Sequence, residues 1–344
     1  MSLPSISFKP KQVVKRLLTP LNERNIDILT KRYGLGENTE RMTLEAIGNI
    51  YHITRERVRQ IENFALAAIK KSDVFGKEKQ SFSELHTLVT SFGGIVCEED
   101  FLMHLAKDAH TQNHFYFLLV LGDEFKREKE DDHFRHRWIV DDKTSMKVHG
   151  ALRALYESLD DEDLIPENEL VAMFLGHLKD VSDAYKNEEV TKRWLSLSKT
   201  ISKNQLGEWG KAESHNVSAR GIRDYAYLVL RKHGSPMHFT EVAKEITKAF
   251  KKKAHVATCH NELIKDPRFV LVGRGLYALS SWGYERGIVK DVIAKILKES
   301  GNLTKKEIID RVLKERYVKE NTVFVNLQDP KMFKKTKEGK YALV

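Results

Sequence analysis

Residues 43–62, Thr-Leu-Glu-Ala-Ile-Gly-Asn-Ile-Tyr-His-Ile-Thr-Arg-Glu-Arg-Val-Arg-Gln-Ile-Glu, decide the fold of the N-terminal part of this 344-residue chain. Leu44, Ile47 and Ile50 recur at helical spacing and predict one short helix with an inward face. The sequence Tyr-His-Ile at 51–53 then predicts a turn. The stretch as a whole predicts a helix, a tight turn and a second helix.

The second helix has its own start signal and its own apolar stripe. We expect His52 to adopt the left-handed conformation in the turn, since histidine tolerates it better than most residues. Thr54 is expected to cap the helix that follows. One face of that helix is predicted to be buried through Val58, Ile61, Ala65, Ala68 and Ile69.

Another face of the second helix carries side chains that read base pairs. Arginine donates two hydrogen bonds to guanine, glutamine pairs with adenine, and glutamate accepts from cytosine. Arg57 is expected to point away from this face, toward a phosphate. The alternative is a solvated helix face with salt bridges, which is common for helices rich in Arg and Glu. The candidate base-reading residues are Arg55, Glu56, Arg59 and Gln60.

Residues 43–48 and 54–62 resemble region 4.2 of the sigma-70 family of bacterial transcription initiation factors, and residues 21–35 resemble region 4.1. In that family the module binds the −35 promoter element, and the flap of the RNA polymerase β subunit contacts it. The resemblance implies base contacts from Arg55, Glu56, Arg59 and Gln60, and backbone contacts from Thr54 and Arg57. We also expect Thr43 to contact the DNA backbone.

Full sigma factors also have preceding regions that bind and melt the −10 element. Because the resemblance begins close to Met1, we expect those regions to be absent. The chain is therefore not expected to start transcription alone.

The charge of the chain changes sign along its length. The net charge of +9 divides into +6 over residues 1–72, −7 over 73–142, −3 over 143–214 and +13 over 215–344. Binding to phosphates requires Lys and Arg, so both ends are candidates for contact with DNA. The acidic middle is expected to act as a spacer or a protein-binding surface.

The remainder of the chain predicts repeated units. Asp266-Pro267-Arg268-Phe269 returns as Asp329 to Phe333, and the sequence Gly-x-Tyr-Ala-Leu occurs at 275–279 and at 339–343. Self-similarity at a nearly fixed period indicates an array. The sequence of each unit predicts three helices followed by a β-hairpin, which is the arrangement of a winged helix. We therefore predict a mainly α chain with five domains: residues 1–72, 73–142, 143–214, 215–284 and 285–344.

Residues 234–243, 267–269 and 275–279 resemble the HARE-type winged helix. That module also occurs in the delta subunit of bacterial RNA polymerase, in restriction systems and in eukaryotic chromatin regulators. The resemblance implies association with DNA or polymerase and no catalytic activity.

The basic C-terminal pair of units has candidate contacts to the DNA backbone. Its predicted third helices carry nothing like the array at 55–60, so the sequence gives no base specificity there. For each lysine alone, a solvated surface charge is the simpler interpretation, but together they favour a polyanionic partner. The candidates are Lys251, Lys252, Lys253, Arg274, Lys335 and Lys337.

Other kinds of site have little support. Cys97 and Cys259 lie far apart and predict buried reduced thiols of a cytosolic protein. Histidines recur between 104 and 136, but without the spacing of a metal site, and we expect them at the surface. The stretch 126–132 is almost all charged and predicts an exposed wing loop. We expect no cofactor, no metal, no catalytic residue, no small-molecule substrate and no membrane segment.

The sequence therefore predicts a cytoplasmic, nucleoid-associated transcription regulator without enzymatic activity. Its expected partners are double-stranded DNA with a −35-like element and the RNA polymerase core. Two alternatives stay open. One is a polymerase accessory subunit, similar to delta, that reads no sequence, and the other is a DNA-binding subunit of a restriction or repair complex.

Overall fold

The computed structural model describes residues 5–179, 181–284 and 287–344, and it confirms the mainly α fold class. The N-terminal part is a bundle of four helices, in which α3 and α4 form the predicted helix-turn-helix. The bounds are α1 Pro10–Leu18, α2 Glu23–Tyr33, α3 Leu44–Tyr51 and α4 Arg55–Lys70.

The turn between α3 and α4 has the predicted geometry. His52 is left-handed at φ 51°, and the Thr54 side chain accepts a hydrogen bond from the Arg57 amide. The Ile53 amide donates to the Gly48 carbonyl at 3.0 Å. A Cβ atom at Gly48 would lie 2.6 Å from the Ile53 carbonyl oxygen, so only glycine allows the turn to pack this closely.

The first acidic unit is a winged helix with a three-stranded sheet. A short helix, α5, connects it to α4. The sheet order is β1-β3-β2, with every pair antiparallel, so the first strand pairs with the last. Its elements are α5 Asp73–Lys77, α6 Lys79–Ser91, β1 Ile95–Cys97, α7 Glu98–Leu105, α8 Ala109–Leu121, β2 Lys126–Glu128 and β3 Arg137–Ile139.

The second acidic unit repeats this order of elements. Its two-stranded hairpin gains a third partner because Ile165 bridges to Trp209 in the last strand. Its elements are α9 Asp142–Ser158, α10 Glu167–His177, α11 Glu188–Leu195, β4 Ile201–Lys203 and β5 Trp209–Lys211.

The two basic units have the same topology again. In the third unit the sheet order is β6-β8-β7, and in the fourth Leu303 bridges to Tyr341. The third unit comprises α12 Ile222–His233, β6 Met237–His238, α13 Phe239–Phe250, α14 Val256–Lys265, β7 Phe269–Gly273 and β8 Leu276–Leu279. The fourth comprises α15 Val289–Ser300, α16 Lys305–Glu315, α17 Glu320–Leu327, β9 Phe333–Lys335 and β10 Tyr341–Leu343.

The repeated sequence Gly-x-Tyr-Ala-Leu has an equivalent position in both basic units. Tyr277 pairs with Met237, and Tyr341 is bridged by Leu303, so each tyrosine lies in the central strand of its sheet. The internal repeat seen in the sequence thus corresponds to a structural repeat, which supports the winged-helix array of the predicted fold class.

The described chain divides into two compact units, Met1–Lys203 with Gly207–Ala212 and Asn204–Leu206 with Glu213–Val344. Within the first, one hydrophobic core extends across the boundary predicted at residue 72. Leu17, Leu29 and Ile69 of the four-helix bundle share this core with Phe117 and Leu118 of α8. The strongly apolar sequence of α8 explains the shared core, because its surface has to be buried against a neighbour. The division into five domains remains a prediction.

Asn113 on α8 fixes the loop between α2 and α3. Its side-chain amide donates to the carbonyls of Gly34 at 2.9 Å and Thr39 at 2.8 Å, while its oxygen accepts from Arg41 Nε at 2.7 Å. The Arg41 guanidinium also lies 3.7 Å from the centre of the Tyr116 ring. Asn113 is buried, so the loss of its side chain leaves both carbonyls without these donors.

We predict that Asn113→Ala lowers the free energy of unfolding of the first compact unit by about 2–4 kcal/mol, from several lost buried hydrogen bonds. Urea unfolding followed by hydrogen exchange would measure it, with Asn63→Ala, an exposed amide on α4, as the matched control. The helix-turn-helix and α6–α8 should lose protection together. Loss of protection in α8 alone would contradict a shared folding unit.

Three details of the sequence prediction were wrong. Ile50 is 48% exposed, and Tyr51 packs against the core beside Ile47 instead, because a four-residue step stays closer to one helix face than a three-residue step.

Part of the predicted loop at 126–132 is strand β2, in which Arg127 binds Glu98 at 2.6 and 2.8 Å. His114 is buried, and its Nδ1 lies 2.7 Å from the His110 carbonyl.

His149 on α9 gives the second acidic unit a dependence on pH. Its ring stacks on Phe134 at 4.3 Å. Burial, together with the positive charges of Arg137 and Arg153, lowers the pKa of His149 from 6.5 to about 4. The unfolded chain therefore binds more protons than the folded chain between these values, and stability falls as the pH drops from 6.5 to 4.

We expect His149→Phe to remove about 2 kcal/mol of this pH-dependent loss, after an allowance for partial solvent access. Phenylalanine keeps the stacking on Phe134 and cannot be protonated. The measurement compares the free energies of unfolding of wild type and variant at pH 7 and pH 4. Parallel pH profiles of the two proteins would argue against a role for His149.

Candidate nucleic-acid interface

The start of α4 presents a group of charged and amide side chains to solvent. Arg55, Glu56, Arg57, Arg59 and Gln60 are all exposed, whereas the intervening Val58 is fully buried. Val58 packs with Ile28 and Ile47 in a small core that orients the helix. The burial pattern therefore directs the whole predicted reading group outward on one short segment.

Four of these side chains form pairs on the helix surface. The Arg59 guanidinium donates to both carboxylate oxygens of Glu56, at 2.9 and 2.7 Å. This contact lowers the pKa of Glu56 and raises the pKa of Arg59. The structure places Arg57 beside Gln60, with Nη1 at 3.1 Å from Oε1, rather than away from it. Residues three positions apart are neighbours on a helix, which explains both pairs.

These pairs hold the donors and acceptors in place without blocking them. Solvent-exposed ion pairs contribute little free energy. Little free energy is therefore lost when Arg59 leaves Glu56 to bind the edge of a guanine base. Both members of the pair are hydrogen-bonding groups of the kind that recognise base edges in the major groove. The surface is therefore compatible with base reading and is already ordered.

Thr43 and Thr54 begin the two helices of the motif. Each side-chain oxygen accepts a hydrogen bond from a backbone amide, from Ala46 at 3.1 Å and from Arg57 at 3.2 Å. A hydroxyl that accepts in this way can still donate its proton. The N-terminus of a helix also attracts anions through its unpaired amides and its dipole. Both threonines are thus suited to a phosphate contact.

Glu62 is the functional residue that the sequence analysis missed. Its carboxylate is buried under the reading group, and one oxygen accepts from Tyr33 Oη at 2.7 Å and from Arg32 Nε at 3.2 Å. Arg32 Nη1 also donates to the Met42 carbonyl at 3.0 Å. The signal was present in the sequence, because Glu62 interrupts the apolar stripe four residues after Val58.

The Glu62 carboxylate changes the ionisation of the buried Tyr33 phenol. Burial and the nearby Glu62 carboxylate strongly raise the pKa of Tyr33, which keeps the phenol neutral as a donor. The contact links α4 to α2, and Arg32 links α2 to the residue before Thr43. The Glu62 carboxylate therefore holds α4 against α2 and, through Arg32, α2 against the start of α3.

We predict that Glu62→Gln lowers the free energy of unfolding by about 1–3 kcal/mol, since a neutral amide cannot hold both donors as well. Chemical denaturation of the first compact unit would measure this. Glu45→Gln, which changes an exposed carboxylate on α3, is the matched control and should leave stability nearly unchanged. Equal effects of the two substitutions would contradict the role of Glu62.

The candidate backbone contacts of the basic units are exposed. Lys251 to Lys253 lie between α13 and α14, with Lys251 in a left-handed conformation at φ 53° and Lys252 Nζ 4.9 Å from the Tyr225 ring. Arg274 occupies the turn of the β7–β8 hairpin. Lys335 is in β9, and Lys337 lies in the turn before β10. These charges lie beside the third helices and at the wings.

Other kinds of site were sought in the part of the chain that the structure describes. No group of three or more histidine, cysteine or acidic side chains there could hold a metal ion. None of the helices described is both long and apolar enough to cross a membrane. Cys97 and Cys259 are buried free thiols, as predicted, and burial raises the pKa of Cys259 to about 11.

Comparison with known families assigns two of these regions. Residues 17–71 match the family described as Sigma-70, region 4. The N-terminal module is thus similar to sigma-70 region 4. Residues 222–282, the third winged helix, match the HARE-HTH family, whose description includes a restriction endonuclease HTH domain. Both resemblances seen in the sequence are thereby confirmed.

The chain is also similar to curated bacterial sigma factors over a short stretch. The RNA polymerase sigma factor SigA of Nostoc sp. is 42% identical over 60 residues, which are 17% of this chain and 15% of the relative. The RNA polymerase sigma factor RpoS of Coxiella burnetii is 46% identical over 57 residues, 17% of this chain and 16% of the relative. The chain thus spans about one sixth of the length of these sigma factors.

Proposed function

We propose that this chain is a DNA-binding transcription regulator that recognises −35-like duplex DNA through α4 and associates with RNA polymerase. The observation that carries the proposal is the outward array of Arg55, Glu56, Arg59 and Gln60 over a buried Val58. The array lies on a sigma-70 region 4 module, whose relatives are named RNA polymerase sigma factors.

Each member of the array has a role that fits its chemistry. Arg55 and Arg59 can donate to guanine O6 and N7, Glu56 can accept from cytosine N4, and Gln60 can pair with adenine. Thr43, Thr54 and Arg57 then contact phosphates around these bases. The start of α4 lies in the major groove in this arrangement, as in other helix-turn-helix proteins.

The polar start of α4 supports DNA reading in addition to docking. The inward faces of α1, α2 and α4 are covered by α8 in the shared core. The exposed start of α4 is polar and largely basic, which suits a nucleic acid. Ile50 on α3 and Phe64 farther along α4 are exposed apolar side chains outside this segment. Contact with the polymerase β flap is part of the proposal and uses surfaces outside that core.

The basic C-terminal units add phosphate contacts. Lys251, Lys252, Lys253, Arg274, Lys335 and Lys337 supply charge without base contacts of their own, and binding through them falls steeply with salt. The acidic units, with net charges of −7 and −3 over residues 73–142 and 143–214, carry a spacing or protein-binding role. The protein acts by binding, not by catalysis, at the nucleoid in the cytoplasm.

Two other functions make different predictions. A polymerase accessory subunit would copurify with polymerase and show no sequence preference on DNA. A DNA-binding subunit of a restriction or repair complex, which the description of the HARE-HTH family suggests, would show nuclease activity with a partner and no effect on transcription.

We expect Arg59→Ala to remove about 1–3 kcal/mol of the preference for a −35-like duplex over a scrambled one, because a two-hydrogen-bond contact to guanine is lost. Arg57→Ala is the matched control on the same helix and should weaken binding to both duplexes alike. The measurement is equilibrium duplex binding by the whole chain at two salt concentrations.

Equal binding of both duplexes by the wild-type chain, with dependence on salt alone, would remove sequence reading and favour the accessory subunit. A preference that Arg59→Ala leaves unchanged would place the reading surface elsewhere in the chain.

A further inference from the structure

The four winged-helix units place their third helix at the same position in the fold, but the exposed chemistry of that helix differs. The helices are α8, α11, α14 and α17. In winged helices this element is the one positioned to enter a DNA groove. A comparison of the four exposed faces therefore separates units that can read DNA from units that cannot.

The two acidic units have no reading surface on their third helix. In α8, Phe117 and Leu118 are fully buried in the core shared with the sigma-like module. Helix α11 begins with the exposed carboxylates of Glu188 and Glu189, which pair with Lys192 and Arg193 on the same helix. Two adjacent carboxylates at the start of this helix repel phosphate, whereas α17 has one, Glu320, directly after Lys319.

Helix α17 of the fourth unit presents an uncharged line of side chains outward. Asn321 and Val325 of α17 and Gln328, at its C-terminal cap, are exposed, with Val325 at 57%. They follow one another at intervals of four and three residues, which places them on one face. The exposed carboxylate of Glu320 lies at the first helical position, beside this line. Val323 and Leu327 are buried on the opposite face.

The equivalent line on α14 has fewer hydrogen-bonding groups. At the corresponding positions Ala257, Asn261 and Ile264 are exposed, with Cys259 and Leu263 buried behind them. This line has a single amide, whereas α17 has two amides and a branched methyl group. Among the four helices, α17 thus has the richest base-reading chemistry.

Exposed basic side chains flank α17 along the chain. Lys319 directly precedes the helix, and Lys334, Lys335 and Lys337 follow in the hairpin, all exposed. Residues 287–344 have a net charge of +6. An uncharged centre between lysines matches a duplex, which offers base edges between two rows of phosphates.

We propose that α17 is a second base-reading helix, which contacts adenine through Asn321 and Gln328 and a thymine methyl group through Val325. The proposal rests on the proposed function, since it requires that the chain binds duplex DNA. It assigns sequence recognition to a unit that the sequence alone left without it. Asparagine and glutamine form two hydrogen bonds with adenine N6 and N7, and an apolar side chain contacts the thymine methyl group.

The test selects duplexes from a random pool with the whole chain, and then repeats the selection with two variants. Asn321→Ala combined with Gln328→Ala removes both amides of the outward line, one on α17 and one at its C-terminal cap. Asn302→Ala, an exposed amide in the same unit but outside the helix, is the matched control. We expect the double variant to lose about 10- to 100-fold in preference for one group of A·T pairs, and the control to keep it.

A change in the DNA tests the same contacts without a change in the protein. Replacement of adenine by 7-deazaadenine in that group removes the N7 acceptor and should weaken wild-type binding about 10-fold, but not binding by the double variant. Replacement of thymine by uracil should affect the wild type and not Val325→Ala.

The outcomes separate this proposal from the proposed function. If the double variant selects the same base pairs as the wild type, or loses association with polymerase while its DNA preference is unchanged, α17 is not a reading helix. If Arg59→Ala still removes the −35-like preference in that case, the proposed function stands. If only the α17 variants alter selection, base reading through α4 fails, while binding to duplex DNA and the second site remain.

Discussion

The geometry of the sigma-like module depends on the buried carboxylate of Glu62. It accepts from Tyr33 and Arg32 and thereby fixes α4 against α2. Arg32 extends the contact to the Met42 carbonyl, directly before the Thr43 cap of α3. Burial of a charge is costly unless the charge is paired. Here the adjacent residues Arg32 and Tyr33 of α2 each donate a hydrogen bond to the Glu62 carboxylate. The outward array at the start of α4 is oriented by this contact and by the small core at Val58.

The local parts of the fold could be predicted because local sequence determines them. His52 in the turn, Thr54 at the cap and the hairpin around Gly275 each follow from the preferences of single residues for a backbone conformation. The internal repeat was visible because Tyr277 and Tyr341 have the same strand position in both basic units. These features need no knowledge of distant contacts.

What the sequence did not reveal depends on long-range packing. No local pattern indicates that α8 covers the sigma-like module or that Asn113 holds the carbonyls of Gly34 and Thr39. The alternative of a helix face with salt bridges was open from the sequence, but helix spacing alone did not assign the pairs Arg59–Glu56 and Arg57–Gln60. The exposed line on α17 emerges only when buried Val323 and Leu327 show which face points outward.

The central claim is that the outward face of α3 and α4 binds DNA in a sequence-specific manner. Amide hydrogen exchange tests this claim most directly. Exchange would be measured for the whole chain alone, with a −35-like duplex, and with a scrambled duplex of equal length. We expect the −35-like duplex to slow exchange most across residues 43–60, beyond the effect of the scrambled duplex. Unchanged exchange at 43–60 in the presence of a saturating −35-like duplex would contradict the claim.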